Sequence, residues 1–421
     1  VSAVEQKSGP ALIRHALSKE VAIAKLCLEF QQASQISDIK KRRRQFGYAS
    51  FNSAATMGGL ISAIGIFGSQ SVYETGPNLK IDEKGKVKVE VKGQPNHIAG
   101  GANAAQLYPQ VIAQEVNGVG NAFELSVNAL KRLRARRKKL DPASALLDVK
   151  KRLVELDEII AHLRAAELTE DADTLEAIED QLKEKFRRTY IAARKDFAFQ
   201  NSLEILDLTR NSIGATGNQI SVSAGYANNN RLNGFGAALS LGAAGLIIAR
   251  PWLSKSVSKI NETLARRQVE KALGKERGSF ANTAGDSRES KSFLFTNQLR
   301  SLIREEYVAD RVAEKHSSKR ASLELMRNTS YAPTKVVNST LGVVANYSHG
   351  LDATERNRLG TAGAITYTAG QSFNFLELLR ERMVDEVAER ELETQGMTTK
   401  QVCQRHLKVL AELERQLAVD N

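Results

Sequence analysis

Residues 330–374 constrain this chain most. They read SYAPTKVVNSTLGVVANY, then a polar loop, then LGTAGAITYTAGQSFN. A long charged helical pattern runs into the stretch and another runs out of it. The two runs between are rich in Val, Thr, Tyr, Ala and Gly and read as strands. A fold for this chain has to hold small-residue, nearly uncharged segments between long charged helices. The same texture recurs at about 46–126 and 217–250.

The totals agree with long helices. The chain has 421 residues and only 7 prolines, and 42% of it is hydrophobic with 6% aromatic. That balance favours helical rods over a compact α/β enzyme. The net charge of +12 suits nucleic acid, an anionic membrane surface, or solubility alone. Cys27 and Cys403 are the only cysteines, so either a disulfide or two buried thiols fits. The first residue is Val1, as a removed signal peptide or a trimmed chain would explain. There is no run of 18 apolar residues, so no ordinary transmembrane helix is expected. The most apolar runs are 58–68 and 234–249.

Taken in order, residues 1–45 form an opening helix that ends in Lys41, Arg42, Arg43 and Arg44. Residues 46–126 form a first strand-hairpin region, with an inserted β-hairpin at 79–92 whose second arm alternates strictly. Residues 127–212 form a helical hairpin. Its seam is Leu146, Val149, Leu153, Leu156, Ile160 and Leu163, spaced 3-4-3-4-3 as in a coiled coil. Ile220, Val222, Ala224 and Tyr226 alternate with small residues in the second hairpin, 217–250. A re-entrant or amphipathic helix over 234–249 is the other reading there. Residues 253–330 are helical, 331–374 form the third hairpin, and 375–421 form a C-terminal helical hairpin broken at Gly396. Basic residues flank the hairpins: Lys40 to Arg44 and Lys131 to Lys139 at the first, Arg210 and Lys255 at the second, and Lys335, Arg380 and Arg382 at the third. They suit an anionic lipid interface, or else are solvated faces.

Four stretches together resemble the TolC-like outer-membrane channel-tunnels. They are LIRHALSKEVAIAKL (12–26), YAPTKV (331–336), QGMTTKQV (395–402) and, more loosely, LTEDADTL (168–175). The chain departs from that family in its third hairpin, its insertion at 79–92 and its reversal at 275–291. The resemblance implies an α+β fold of mainly long α-helices. A helical coiled-coil tunnel would carry strand hairpins at one end, which close a shared β-barrel in a homotrimer. It further implies an outer-membrane and periplasmic conduit for efflux or protein secretion. A periplasmic adaptor and inner-membrane transporter would dock at Leu168, Thr169, Asp171, Asp173, Gly396, Thr398 and Thr399. Asp171 and Asp173 either ring a tunnel mouth or form an exposed acidic turn. Lys41, Arg42, Arg43, Arg44, Arg134, Arg136 and Arg137 would meet outer-membrane lipid. Neither cofactor nor nucleic acid is expected.

Enzyme signatures are absent: there is no GxxxxGK[ST], GxSxG, CxxC or HExxH, and the six histidines are scattered. Two other classes fit the same texture. One is an α-helical pore-forming protein, and the other is a structural ring or tube component of a virion or secretion machine.

Overall fold

The computed structural model describes residues 9–34, 39–73, 79–81, 87–89, 97–227, 229–274, 291–348 and 350–419. In order the elements are α1 (Gly9–Ser34), α2 (Ile39–Tyr73), β1 (Leu79–Ile81), β2 (Val87–Val89), α3 (His97–Arg137) and α4 (Pro142–Ala165). They continue with α5 (Thr169–Tyr226), α6 (Asn230–Leu273), α7 (Lys291–Tyr347), α8 (Ala353–Thr394) and α9 (Thr399–Val419).

The expected α+β fold with a shared β-barrel is overturned. Both arms of the supposed hairpins at 217–250 and 331–374 are helical, and the long arms of 46–126 are α2 and α3. Among the described residues the strand pairing is confined to β1 and β2, with Leu79 opposite Val89 and Ile81 opposite Val87. The physical reason lies in the small residues. Val222 and Ala224 fit a period of two. Together with Gly214, Gly217, Asn218 and Ser221 they also form one buried helical face. Gly and Ser have poor helix propensity, but here each lets a neighbouring helix approach closely. Caps fix the helix starts. The Asn229 side chain accepts from the Leu232 N–H at 3.0 Å. Asp352 and Glu355 form a reciprocal capping box at the start of α8.

Six helices close into a ring in the order α2, α3, α5, α6, α7, α8 and back to α2. Neighbours run antiparallel, as paired positions show. Arg44 and Tyr48 of α2 meet Glu124 and Gly120 of α3. Gln114 and Asn128 of α3 meet Asn218 and Asn201 of α5. Asn233 and Arg250 of α6 meet Asn346 and Glu324 of α7.

The other end of the molecule is a head with an apolar core. α1, α4 and α9 pack there on the head-side parts of α5, α6 and α7. The α4 seam residues Val149, Leu153, Leu156, Ile160 and Leu163 are buried in it. Phe30, Phe186 and Tyr190 cluster with ring centroids 5.6–6.2 Å apart. Helix α4 starts at Pro142 behind the cap Asp141, an arrangement suited to a first turn. At ~1.5 Å per residue, the 58 residues of α5 run through both the head and the ring.

Candidate functional site

Several ring helices bury polar side chains and expose large apolar ones, although apolar groups such as Leu60, Val111 and Ile247 are buried there too. On α3 the buried row is Gln106, Gln110, Gln114, Asn117, Glu124 and Asn128. The opposite row, Tyr108, Ile112, Val116, Val119 and Phe123, is exposed, Val119 to 71%. Helix α8 buries Gln371 and Asn374 and exposes Ile365, Phe373 and Leu376. On α6, Phe235, Ile248 and Trp252 face outward, Trp252 to 70%. This helix also holds an 18-residue window of mean hydropathy 1.7, of which 28% is buried. A core helix of a water-soluble domain would bury that window. Helix α5 differs, since Thr209, Ser212, Thr216, Gln219 and Ser223 make its outward row.

The inward polar groups are hydrogen-bonded to one another across the ring. Asn218 Nδ2 donates to Gln114 at 3.3 Å, and Ser240 donates to Asn218 Oδ1 at 2.8 Å. Asn233 donates to Asn346 at 2.9 Å and Asn374 to Ser53 at 3.0 Å. Two close approaches need glycine. A Cβ on Gly217 would sit 2.7 Å from the Gly236 carbonyl oxygen, and one on Gly59 2.8 Å from that of Gln106. Interhelical amide bonds and small-residue contacts are the means by which helices associate without a hydrophobic drive between them.

Charges are excluded from one slab of the ring. Residues 45–73, 211–226, 232–249 and 359–376 contain no Asp, Glu, Lys or Arg. Residues 98–123 contain only Glu115, and 328–347 only Lys335. The four shorter runs are roughly 24–30 Å long as helix, near the thickness of a bilayer's hydrocarbon core, and those at 45–73 and 98–123 are roughly 40 Å. Glu115 lies on the outer face, where Gln219 donates to it at 3.0 Å.

A belt of ion pairs closes the slab on the head side, and all six ring helices contribute. Lys41 pairs with Glu204 at 3.1 Å and Arg44 with Glu124 at 2.6 Å. Arg250 pairs with Asp207 at 2.8 Å and Glu324 at 2.7 Å. Arg327 pairs with Glu381 at 3.2 Å, and Arg42 with Glu389. Burial raises the Glu204 carboxyl above its usual range, and Lys41 opposes that shift. Trp252, the single tryptophan of the chain, follows Arg250 by two residues, where a membrane-facing helix keeps such a ring. Above the belt the interior is filled by Leu60, Ile247, Tyr331, Ala332, Ala364 and Tyr367.

The two turns expected to dock a partner are not brought together. Leu168 is half-buried on the head core, its side chain next to Gly9 at the start of α1. Thr169 and Asp173 are exposed, Asp171 is half-buried, and Arg164 donates to Asp173 at 2.9 Å. Gly396 takes φ +66°, and the Met397 N–H closes the α8 end on the Leu392 carbonyl at 2.8 Å. Thr398 and Thr399 are half-buried. Thr399 lines a small depression with Gln31 and Cys403, 22 residues along α1 from Gly9. That places the two turns about 33 Å apart along the axis.

The basic residues also divide. Lys41 faces the interior, and Arg42 and Arg44 are held by carboxylates. Arg43, Arg134, Arg136 and Arg137 are exposed. Cys27 and Cys403 are buried thiols that form no disulfide, and burial pushes the Cys27 thiol up to about 12. No cluster suited to a metal ion occurs among the described residues. The inward amide row of α3 was missed from sequence, although its spacing of four, four and three is a helical signal. No family model, curated protein or solved structure matches the chain.

Proposed function

We propose that the chain is a non-catalytic membrane protein. Its six-helix ring spans a bilayer and encloses a polar path for solutes, and its apolar-cored head stands in water. The observation that carries this reading is that ring helices such as α3 and α8 bury amides and expose large apolar side chains over a slab of near bilayer thickness. Lipid offers no water to unpaired backbone groups, so helices with internally bonded polar faces are one of the few spanning structures available. The filled interior supports a closed state of such a path. The row of Ser, Thr and Gln on α5 is the side that meets water or another polar surface rather than acyl chains. Outer-membrane insertion was expected from a strand barrel, so the proposal names no particular membrane. Trimerisation and a docked adaptor form no part of it.

Flotation with liposomes tests the reading. The chain is expected to rise with vesicles, to stay with them through a high-salt wash, and to release an enclosed dye on opening. Protein that stays at the bottom of the gradient would sink the proposal. In that case the exposed cations Arg134, Arg136 and Arg137 favour a second reading, a structural component facing nucleic acid. Its mark is an affinity for DNA that falls linearly with the logarithm of salt concentration.

A further inference from the structure

Lys335 is the one lysine or arginine in the charge-depleted slab. It lies on α7, 8% exposed, and turns inward. Among the described residues it has neither a carboxylate nor a hydrogen-bond acceptor as partner. The charge it faces is another cation, Arg210 of α5. Arg210 itself reaches only Asp207, at 3.5 Å, and the Asn211 side-chain oxygen, at 3.0 Å. Asp207 is already committed to Arg250 at 2.8 Å. Lys41, Arg210 and Arg250 pair with Glu204, Asp207 and Glu324, and none of these carboxylates pairs with Lys335.

Two aromatic hydroxyls complete the surroundings. Tyr331 precedes Lys335 by one helical turn and is buried. Tyr367 of α8 lies within electrostatic reach of both Tyr331 and Arg210. Gln371 donates to the Tyr367 hydroxyl at 2.9 Å, which leaves that hydroxyl's own proton to give.

A buried charge with no counter-charge is costly, and a second like charge beside it adds to the cost. We propose that Lys335 and Arg210, with the hydroxyls of Tyr331 and Tyr367, form a binding site for a small inorganic monovalent anion in the ring interior. All four groups donate, so the site rejects cations. Leu60, Ile247, Ala332 and Ala364 pack against the two tyrosines and wall the site with apolar groups. Binding itself requires only the fold. Its role as a selective step in a solute path rests on the membrane reading above.

The test is chlorine NMR line broadening of chloride by the full chain in detergent, with liposome flotation run in parallel. The wild-type chain and Lys335→Arg are expected to broaden the line. Lys335→Met and Arg210→Met should reduce the excess width several-fold. Equal broadening by wild type and Lys335→Met overturns the site. If the methionine variants do not fold, nitrate competition on the wild type decides: nitrate is expected to narrow the line, and an unchanged width overturns the site. A chain that floats without Lys335-dependent broadening loses the anion site and keeps the membrane reading. One that does not float but shows that broadening keeps the site and loses the membrane reading.

Discussion

Helix α5 can be compared with itself. Its head half buries mainly large apolar groups, Leu175, Ile178, Leu182 and Phe186 beside Glu179 and Arg187, and its ring half buries Glu204, Asn211, Asn218 and Ser221 beside small residues and Val222. The helix is the same and continuous, but the two halves choose different interiors. Burial alone identifies a core. The chemistry of what is buried identifies the solvent outside it. The head obeys the rule for water, with apolar side chains inside. Ring helices such as α3 and α8 fit the proposed lipid setting, with amides bonded inside and apolar side chains outside, whereas the outward row of α5 is polar.

The largest expected effect falls on the head. Phe186→Ala removes a ring from a three-ring cluster and should cost about 3–5 kcal/mol, read as a lower unfolding midpoint of the head in detergent and in water alike. On the ring, Val119→Lys adds a charge to an exposed face. It should leave stability in detergent almost unchanged and weaken vesicle binding by ~2.5–3.5 kcal/mol. Equal flotation of Val119→Lys and wild type would break the comparison. Asn218→Leu exchanges an inward amide for an apolar group and strands Gln114 and Ser240. In a head-like core it would stabilise; in the ring it should cost about 1–3 kcal/mol, measured by denaturation in detergent.

A pH effect separates the halves further. Glu20 is fully buried and faces Glu179 of α5 and Arg300 of α7. Burial raises Glu179 from 4.5 to about 7, against Lys183 and with Asp157 of α4 adding to the rise. A carboxyl raised in the folded state binds more protons folded than unfolded between those values. Head stability should therefore fall as pH climbs from 4.5 to about 7, and the raised Glu20 carboxyl acts in the same direction. Glu179→Gln should flatten that fall in a pH series of thermal midpoints. The smallest effect is local. Glu167 holds φ +63° at the end of α4, so Glu167→Gly should raise the midpoint, by less than ~1 kcal/mol.

The parts of the fold legible in the sequence are those with strong apolar periods. The seam from Leu146 to Leu163 is legible because leucine and valine every three or four residues admit one geometry. The turn at Gly396 is legible because glycine alone readily takes its φ. The segments 217–250 and 331–374 stand out as a distinct texture, yet their secondary structure is misread. Ser, Thr, Ala and Gly carry little period of their own, and alternation over Ile220 to Tyr226 is compatible with strand and helix alike. Two signals pointed to helix: Asp352 three residues before Glu355, and the amides at 106, 110, 114 and 117. The search for a long apolar run fails for a related reason. Ring helices such as α3 and α8 show apolar residues on one side and amides on the other, so they average to a mixed composition. The site at Lys335 is invisible in sequence because it consists of a missing partner, and only the assembled ring shows which carboxylates are spoken for.

The unbroken course of α5 gives the molecule a lever. Helix hydrogen bonds make it stiff, and no proline interrupts its 58 residues. A tilt imposed where α1 and α4 grip it is delivered, enlarged by length, to the end beside Asn233 and Asn346. A displacement of the head end can therefore reach the far end of the ring through the helix itself.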